Sequence, residues 1–275
     1  MTALPSLFIS HGAPTFAIEP GLAGIQLREL GRLIETPRAV VVISPHWMTP
    51  GIEITAADPP GTLHDFGGFP RALYSLQYRA PGSPALAARI ELELRRCGLG
   101  AQLNTRRGLD HGAWVPLMHL YPDAQIPVIQ VSLPLHADED QAWALGQALA
   151  PLAQEGLLIV GSGSLTHNLQ EIRMDATEAT AYAAEFSDWV RQALIEGQTE
   201  RLRKTLQIAP HARRAHPTTE HFLPLLVAAG AASWPTQVTV LDGDIRYGVL
   251  SMESYLLGRA IKLSAAASDR QAANP

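Results

Sequence analysis

Short apolar runs bounded by turn residues alternate along the chain with longer stretches whose apolar positions recur every three to four residues. The runs at 7–10, 39–44, 127–132, 156–161 and 237–242 are dominated by Val, Ile and Leu. Several lack polar alternation, which is the pattern of strands buried on both faces. Residues 52–56 and 102–104 are weaker signals and read as edge strands. Helical spacing marks 22–35, with Leu27, Leu30 and Ile34 on one stripe, and 85–97, with Leu86, Ile90 and Leu94. The segments 141–153, 176–196, 199–206 and 220–229 read the same way. Strands alternating with helices predict one α/β domain over residues 1–263, with a central, mostly parallel sheet and helices on both faces. Residues 58–84, rich in Gly, Pro and aromatic side chains, form a long irregular excursion of the kind that walls a pocket. Residues 264–275 are rich in Ala and Ser and are expected to fray.

Composition narrows the functional classes. A chain of 275 residues, 47% hydrophobic, suffices for one large core. A formal net charge of −5 lacks the basic field of a nucleic-acid binder. No run approaches the ~20 apolar residues of a membrane span. The single cysteine, Cys97, excludes a disulfide within the chain and a cysteine-rich zinc site. The opening run M-T-A-L-P-S-L-F-I-S-H-G-A-P does not read as a secretion signal, and a reducing, cytoplasmic setting is expected. Nothing in the pattern separates a monomer from a dimer.

The placement of the ten histidines points to chemistry. His11 follows the first strand in S-H-G-A-P, His46 follows the second in S-P-H-W, and His167 follows a third in G-S-G-S-L-T-H-N. A parallel sheet projects such residues to its carboxyl edge, where open α/β sheets bind ligands. His111 in D-H-G-A-W-V-P-L and His221 at the head of the 220–229 helix are positioned to join them. Neutral imidazoles ligate zinc, iron, copper or nickel. Three histidines and a water suit zinc, whereas two histidines and a carboxylate, with Glu220 as the acid, suit iron(II). Adjacent helical residues point in different directions, so one of Glu220 and His221 should face the metal. On residues alone the metal stays open. Of the remainder, His119 reads as packing, His136 as loop, His64 as weakly placed, and His211 and His216 as part of a solvated basic loop.

The motifs S-H-G-A-P, S-P-H-W, H-D-F-G-G-F-P, D-H-G-A-W-V-P-L, G-S-G-S-L-T-H-N-L and H-P-T-T-E-H-F-L-P-L-L resemble, in order, those of the DODA-type extradiol dioxygenases of the class III, LigB-like superfamily. The resemblance extends from His11 through Y-G-V-L-S-M-E-S-Y. It implies O2-dependent cleavage of a catechol ring beside its hydroxyl pair, at a mononuclear iron(II) site, with DOPA-like catechols as the substrate class. Members of this branch also occur with zinc. Carried over by motif, His11, His46 and His221 match the metal ligands, with His167 a possible fourth. His167 and His111 match the acid/base histidines. In the better-known branch of the superfamily the third ligand is a glutamate, where this chain has His221.

A histidine suits the proton transfers that ring cleavage needs, because its ordinary pKa of about 6.5 lies near working pH. His167 is the first choice and His111 the second, with Asp110 or Thr166 to orient them. Trp47, Phe66, Phe69 and Trp114 are expected to wall an aromatic pocket. Arg213, Arg214 and Arg246 are available to a substrate carboxylate. Two rivals keep the same scaffold: a zinc hydrolase, whose metal would lower the pKa of its water toward ~7, and a binding protein without catalysis. A serine hydrolase would need Gly-x-Ser-x-Gly, which G-S-G-S does not meet.

Overall fold

A computed structural model describes residues 3–264. Its strands are β1 (Ser6–Ser10), β2 (Ala39–Thr49), β3 (Ile52–Thr55), β4 (Ala101–Asn104), β5 (Val128–Pro134), β6 (Leu157–Gly163), β7 (Val238–Leu241), β8 (Ile245–Arg246), β9 (Leu250–Ser251) and β10 (Ser254–Leu257). Its helices are α1 (Gly21–Leu33), α2 (Arg71–Tyr74), α3 (Pro84–Arg96), α4 (His111–Leu120), α5 (Glu139–Leu149), α6 (Ala181–Ile195), α7 (Thr199–Arg203), α8 (Thr205–Ile208), α9 (Ala212–Ala215) and α10 (Leu223–Ala231).

Among the described residues, eight strands form one sheet in the order β4-β3-β5-β2-β6-β1-β10-β7. Pairing is parallel through β5-β2-β6-β1 and between β3 and β4. It is antiparallel where β3 meets β5, β1 meets β10 and β10 meets β7. Of the two expected edge strands, β4 does lie at the edge, whereas β3 sits one place in, paired with β4 on one side and β5 on the other. Successive side chains of β2 enter opposite layers, as a two-residue repeat requires. Val41 and Ile43 join the core built with α3, α5, α6 and α10, while Val40 and Val42 join the core built with α1 and α4. Both faces are therefore covered, which explains the unbroken apolar run.

Helix starts follow local capping chemistry. Asp110 caps α4 by accepting from Ala113 N at 3.2 Å. Asp138 and Gln141 close a reciprocal capping box on α5. Several boundaries differ from the sequence pattern. β2 runs through His46 to Thr49, with its register against β5 broken between Ile43 and Met48. α6 begins at Ala181, and α10 begins at Leu223, leaving His221 in the turn before it. The 58–84 excursion contains the short α2 and ends at the first residue of α3. Of the expected frayed tail, 264–275, all but Ser264 lies outside the described residues. No helix among the described residues is long and apolar enough to cross a membrane.

A histidine cluster at the sheet edge and its cavity

Three of the histidines converge beside the ends of β1 and β6 and the irregular second half of β2. The His11 backbone N–H continues the ladder to the Gly163 carbonyl at 2.9 Å, and Gly12 then turns the chain with φ +59. The Ser162 hydroxyl donates to the Gly112 carbonyl, so its oxygen is left to accept from His11 Nδ1–H at 2.9 Å. That bond sets the His11 tautomer and leaves an Nε2 lone pair, which lies 3.1 Å from His46 Nε2. His221 donates its Nδ1–H to Glu220 Oε1 at 3.0 Å, which again frees Nε2. One nitrogen from each of His11, His46 and His221 lies within 4.8 Å of the others.

The rings are buried or nearly so, and burial is the main reason they resist protonation. The pKa values of His11 and His221 fall well below the ordinary value, and that of His46 falls to about 3. Facing lone pairs on neutral, buried imidazoles are what a coordinated cation satisfies, so the donor set fits a metal. The outer hydrogen bonds that His11 and His221 donate to Ser162 and Glu220 are the kind that orient such ligands.

Two more histidines flank this group. His111 opens α4 and is gripped twice by Asp65, which accepts from its backbone N–H at 2.9 Å and from Nδ1–H at 3.0 Å. Burial pushes the Asp65 carboxyl up, but its contacts with His111 outweigh that and hold it below its ordinary value. The His111 and His46 ring centres are 3.9 Å apart. His167 stacks on His221, with centroids 3.5 Å apart and planes 7° from parallel. Burial lowers the His167 pKa to about 4, against an upward pull from the Glu220 carboxylate.

His46, His111, His167 and His221 line a cavity of about 750 Å³. Phe66, Phe69, Leu169, Ile172, Met174 and Leu250 supply much of its apolar wall. Two expected wall residues lie elsewhere. Trp114 is fully buried on α4 and donates its indole N–H to the Leu63 carbonyl at 2.8 Å. Trp47 stacks with the Arg107 guanidinium, 5.4 Å from its ring centre. His46, next to Trp47, and His111, three positions before Trp114, face the cavity, but both tryptophan side chains are buried away from it.

The expected orienting groups also differ. Asp110 caps α4 and accepts from Gln130, and Thr166 donates to the Val249 carbonyl. Asp65 takes the orienting role at His111, and Ser162 and Glu220 play the equivalent part at His11 and His221. Asp65 lies within a quoted motif, yet nothing local links it to a histidine 46 positions away.

None of Arg213, Arg214 and Arg246 lines the cavity. Arg214 pairs with Glu171, and Arg246 sits over the Phe16 ring. His216 is buried between Phe186 and Phe222 and bonds the Leu165 carbonyl, instead of lying in a solvated loop. His211 is exposed and pairs with Glu185, and His136 is exposed in a turn. His119 packs against Phe16, as expected, and His64 bonds the Leu76 carbonyl.

Residues 7–258 match the family described as the catalytic LigB subunit of aromatic ring-opening dioxygenase. The chain is 42% identical to a 4,5-DOPA dioxygenase extradiol of Beta vulgaris, over 91% of this chain and 95% of that protein. It is 38% identical to a 4,5-DOPA dioxygenase extradiol of Escherichia coli K12, over 94% and 96% respectively. The crystal structure of an uncharacterised protein from Escherichia coli K12 superposes with a TM-score of 0.79 at 32% identity, covering 93% of this chain and all of that one. The family match over nearly the full chain and the extradiol relatives lead to one conclusion: the chain belongs to the LigB family of aromatic ring-opening dioxygenases, among its extradiol enzymes.

Proposed function

We infer that this chain is a metal-dependent extradiol dioxygenase that opens the ring of a DOPA-like catechol with O2. The reading is carried by the convergence of His11, His46 and His221, their nitrogens within 4.8 Å of one another, beside a largely apolar cavity wide enough for an aromatic ring. These three residues hold the metal. When bound, iron(II) supplies a Lewis acid for the catechol oxygens and a redox partner for O2, which zinc, having no redox chemistry, does not.

The remaining steps belong to the protein's own groups. His167 is neutral at pH 7 because burial lowers its pKa to about 4, so it is available as a base for the catechol hydroxyl. The imidazolium that forms is stabilised by the nearby Glu220 carboxylate. His111, its Nδ1–H held by Asp65, keeps Nε2 as a second proton-transfer position. Both oxygen atoms enter the product, so the proton removed is returned as the ring opens and no external reductant is consumed. The apolar wall excludes water, which strengthens these electrostatic contacts.

The test is anaerobic reconstitution with iron(II), followed by a catechol and then O2. Oxygen uptake and a yellow ring-opened product are expected. Iron-loaded protein that consumes no O2 with any catechol, alongside zinc-loaded protein that hydrolyses esters or amides, would replace this reading with a zinc hydrolase.

A further inference from the structure

His216 is a buried imidazole that the steps above do not use. It is not among the residues that line the cavity, and it packs against the rings of Phe186 and Phe222. Its Nε2 bonds the Leu165 carbonyl at 2.9 Å. A carbonyl only accepts, so Nε2 carries the proton and Nδ1 keeps a lone pair. That Nδ1 has no partner among the described residues. A phenyl ring would fill the same space without burying an unpaired nitrogen, which costs free energy. What the imidazole adds is the bond to Leu165.

Leu165 belongs to the stretch that presents His167. Residues 164–168 follow β6 and form neither strand nor helix, so their polar groups find partners one at a time. On one side the Ser10 hydroxyl accepts from Leu165 N at 3.1 Å, and Thr166 Oγ1 donates to the Val249 carbonyl at 2.7 Å. The other side rests on the end of α9. The Arg214 carbonyl accepts from Asn168 Nδ2 at 2.8 Å, the Ala215 carbonyl accepts from His167 N at 2.8 Å, and His216 completes the row at Leu165. Within this row His216 is the one residue of 214–216 that acts through its side chain. His221 is anchored separately, by Ser164 N on its carbonyl at 2.9 Å and by Glu220 on its ring. Loss of the His216 bond therefore loosens the support of His167 and leaves the anchors of the metal ligand in place.

We propose that His216 is a positioning residue: its bond to the Leu165 carbonyl fixes the segment on which His167 stands, and so aims the imidazole that takes the catechol proton. The inference rests on the catechol reading above. A buried carbonyl stripped of its donor is driven to seek another partner, and the segment that carries it moves His167 with it.

The experiment follows 4-nitrocatechol binding to zinc-loaded protein by absorbance, so neither O2 nor turnover enters. His216→Phe keeps a ring between Phe186 and Phe222 but has no donor, whereas His216→Gln returns an amide N–H near the place of Nε2. His216→Phe is expected to weaken binding about tenfold, the scale of one hydrogen bond to a charged group, with zinc affinity unchanged. His216→Gln should recover most of that loss. In His167→Ala protein, His216→Phe should have no further effect, because two residues that act as one unit are not additive. An equal loss in His167→Ala protein, or a His216→Gln variant as weak as His216→Phe, overturns the positioning role alone. Should His216→Phe fail to fold, His216→Asn, whose shorter amide stops short of the carbonyl, takes its place in the same comparison. Wild-type protein that does not bind 4-nitrocatechol, or binds it no better than His167→Ala, overturns the reading of the cavity above and this inference with it.

Discussion

Gly163 is the sharpest place to test how the backbone sets the metal site. A Cβ at this position would stand 2.3 Å from the His221 carbonyl oxygen, and also 3.2 Å from the Pro224 ring. Real Cβ atoms essentially never approach within 3.0 Å, so the carbonyl must retreat by at least about 0.7 Å. It is not free to do so, because Ser164 N donates to it at 2.9 Å. Gly163→Ala is therefore expected to cost roughly 1–3 kcal/mol of stability, as overpacking does. It should also shift His221 beyond the ~0.5 Å tolerance of a preorganised site and weaken metal binding by at least about tenfold. Thermal unfolding of the metal-free protein measures the first effect, and zinc(II) competition against a chromophoric chelator measures the second. Gly51→Ala is the control, since a Cβ there meets nothing within 4 Å. It should change stability by less than ~0.5 kcal/mol. Wild-type zinc affinity in Gly163→Ala would refute the argument that this glycine positions His221.

Two further outcomes test the division of labour. His167→Ala should abolish turnover while most of the metal stays bound, as metal analysis of the purified variant would report; equal loss of metal would make His167 a ligand. For the metal-free protein, burial lowers His46 to about 3 and His167 and His216 to about 4, so below pH ~6.5 the unfolded chain binds protons that the folded chain refuses. Stability should therefore fall on acidification from about pH 6.5 toward 4, by ~1.4 kcal/mol per pH unit for each such histidine. Urea unfolding at pH 7.5 and 5 checks this, and stability that holds or rises at pH 5 contradicts it.

Much of the site was legible in the sequence because strand ends and turns are local features. His11 and His167 stand after apolar runs punctuated by glycine, and a parallel sheet brings such ends to one edge. Which partners those rings acquire is not a local matter. Asp65 reaches His111 across 46 positions and Ser162 reaches His11 across 151, and no periodicity links residues that far apart. The misplaced aromatics fail for a related reason. Trp47 directly follows a ring of the cluster, and strand alternation turns it to the other side, whereas Trp114 is three positions after His111 on one helix and is withdrawn from the cavity by its long-range bond to the Leu63 carbonyl. His216 sits in a run that reads as basic and solvated, yet α9 carries it under the aromatic rings of Phe186 and Phe222.

The sequence by itself determined the α/β alternation, the doubly covered central strands and the order of histidine motifs, since all three depend on spacing and turn chemistry within short segments. Only the tertiary structure decided that His11, His46 and His221 present free nitrogens to one another, that Asp65 and Glu220 orient the rings beside them, and that His216 bonds the segment that presents His167. The physical reason is that tautomer, proton affinity and charge balance follow from burial and from contacts across the fold, and those come into being only when distant segments pack.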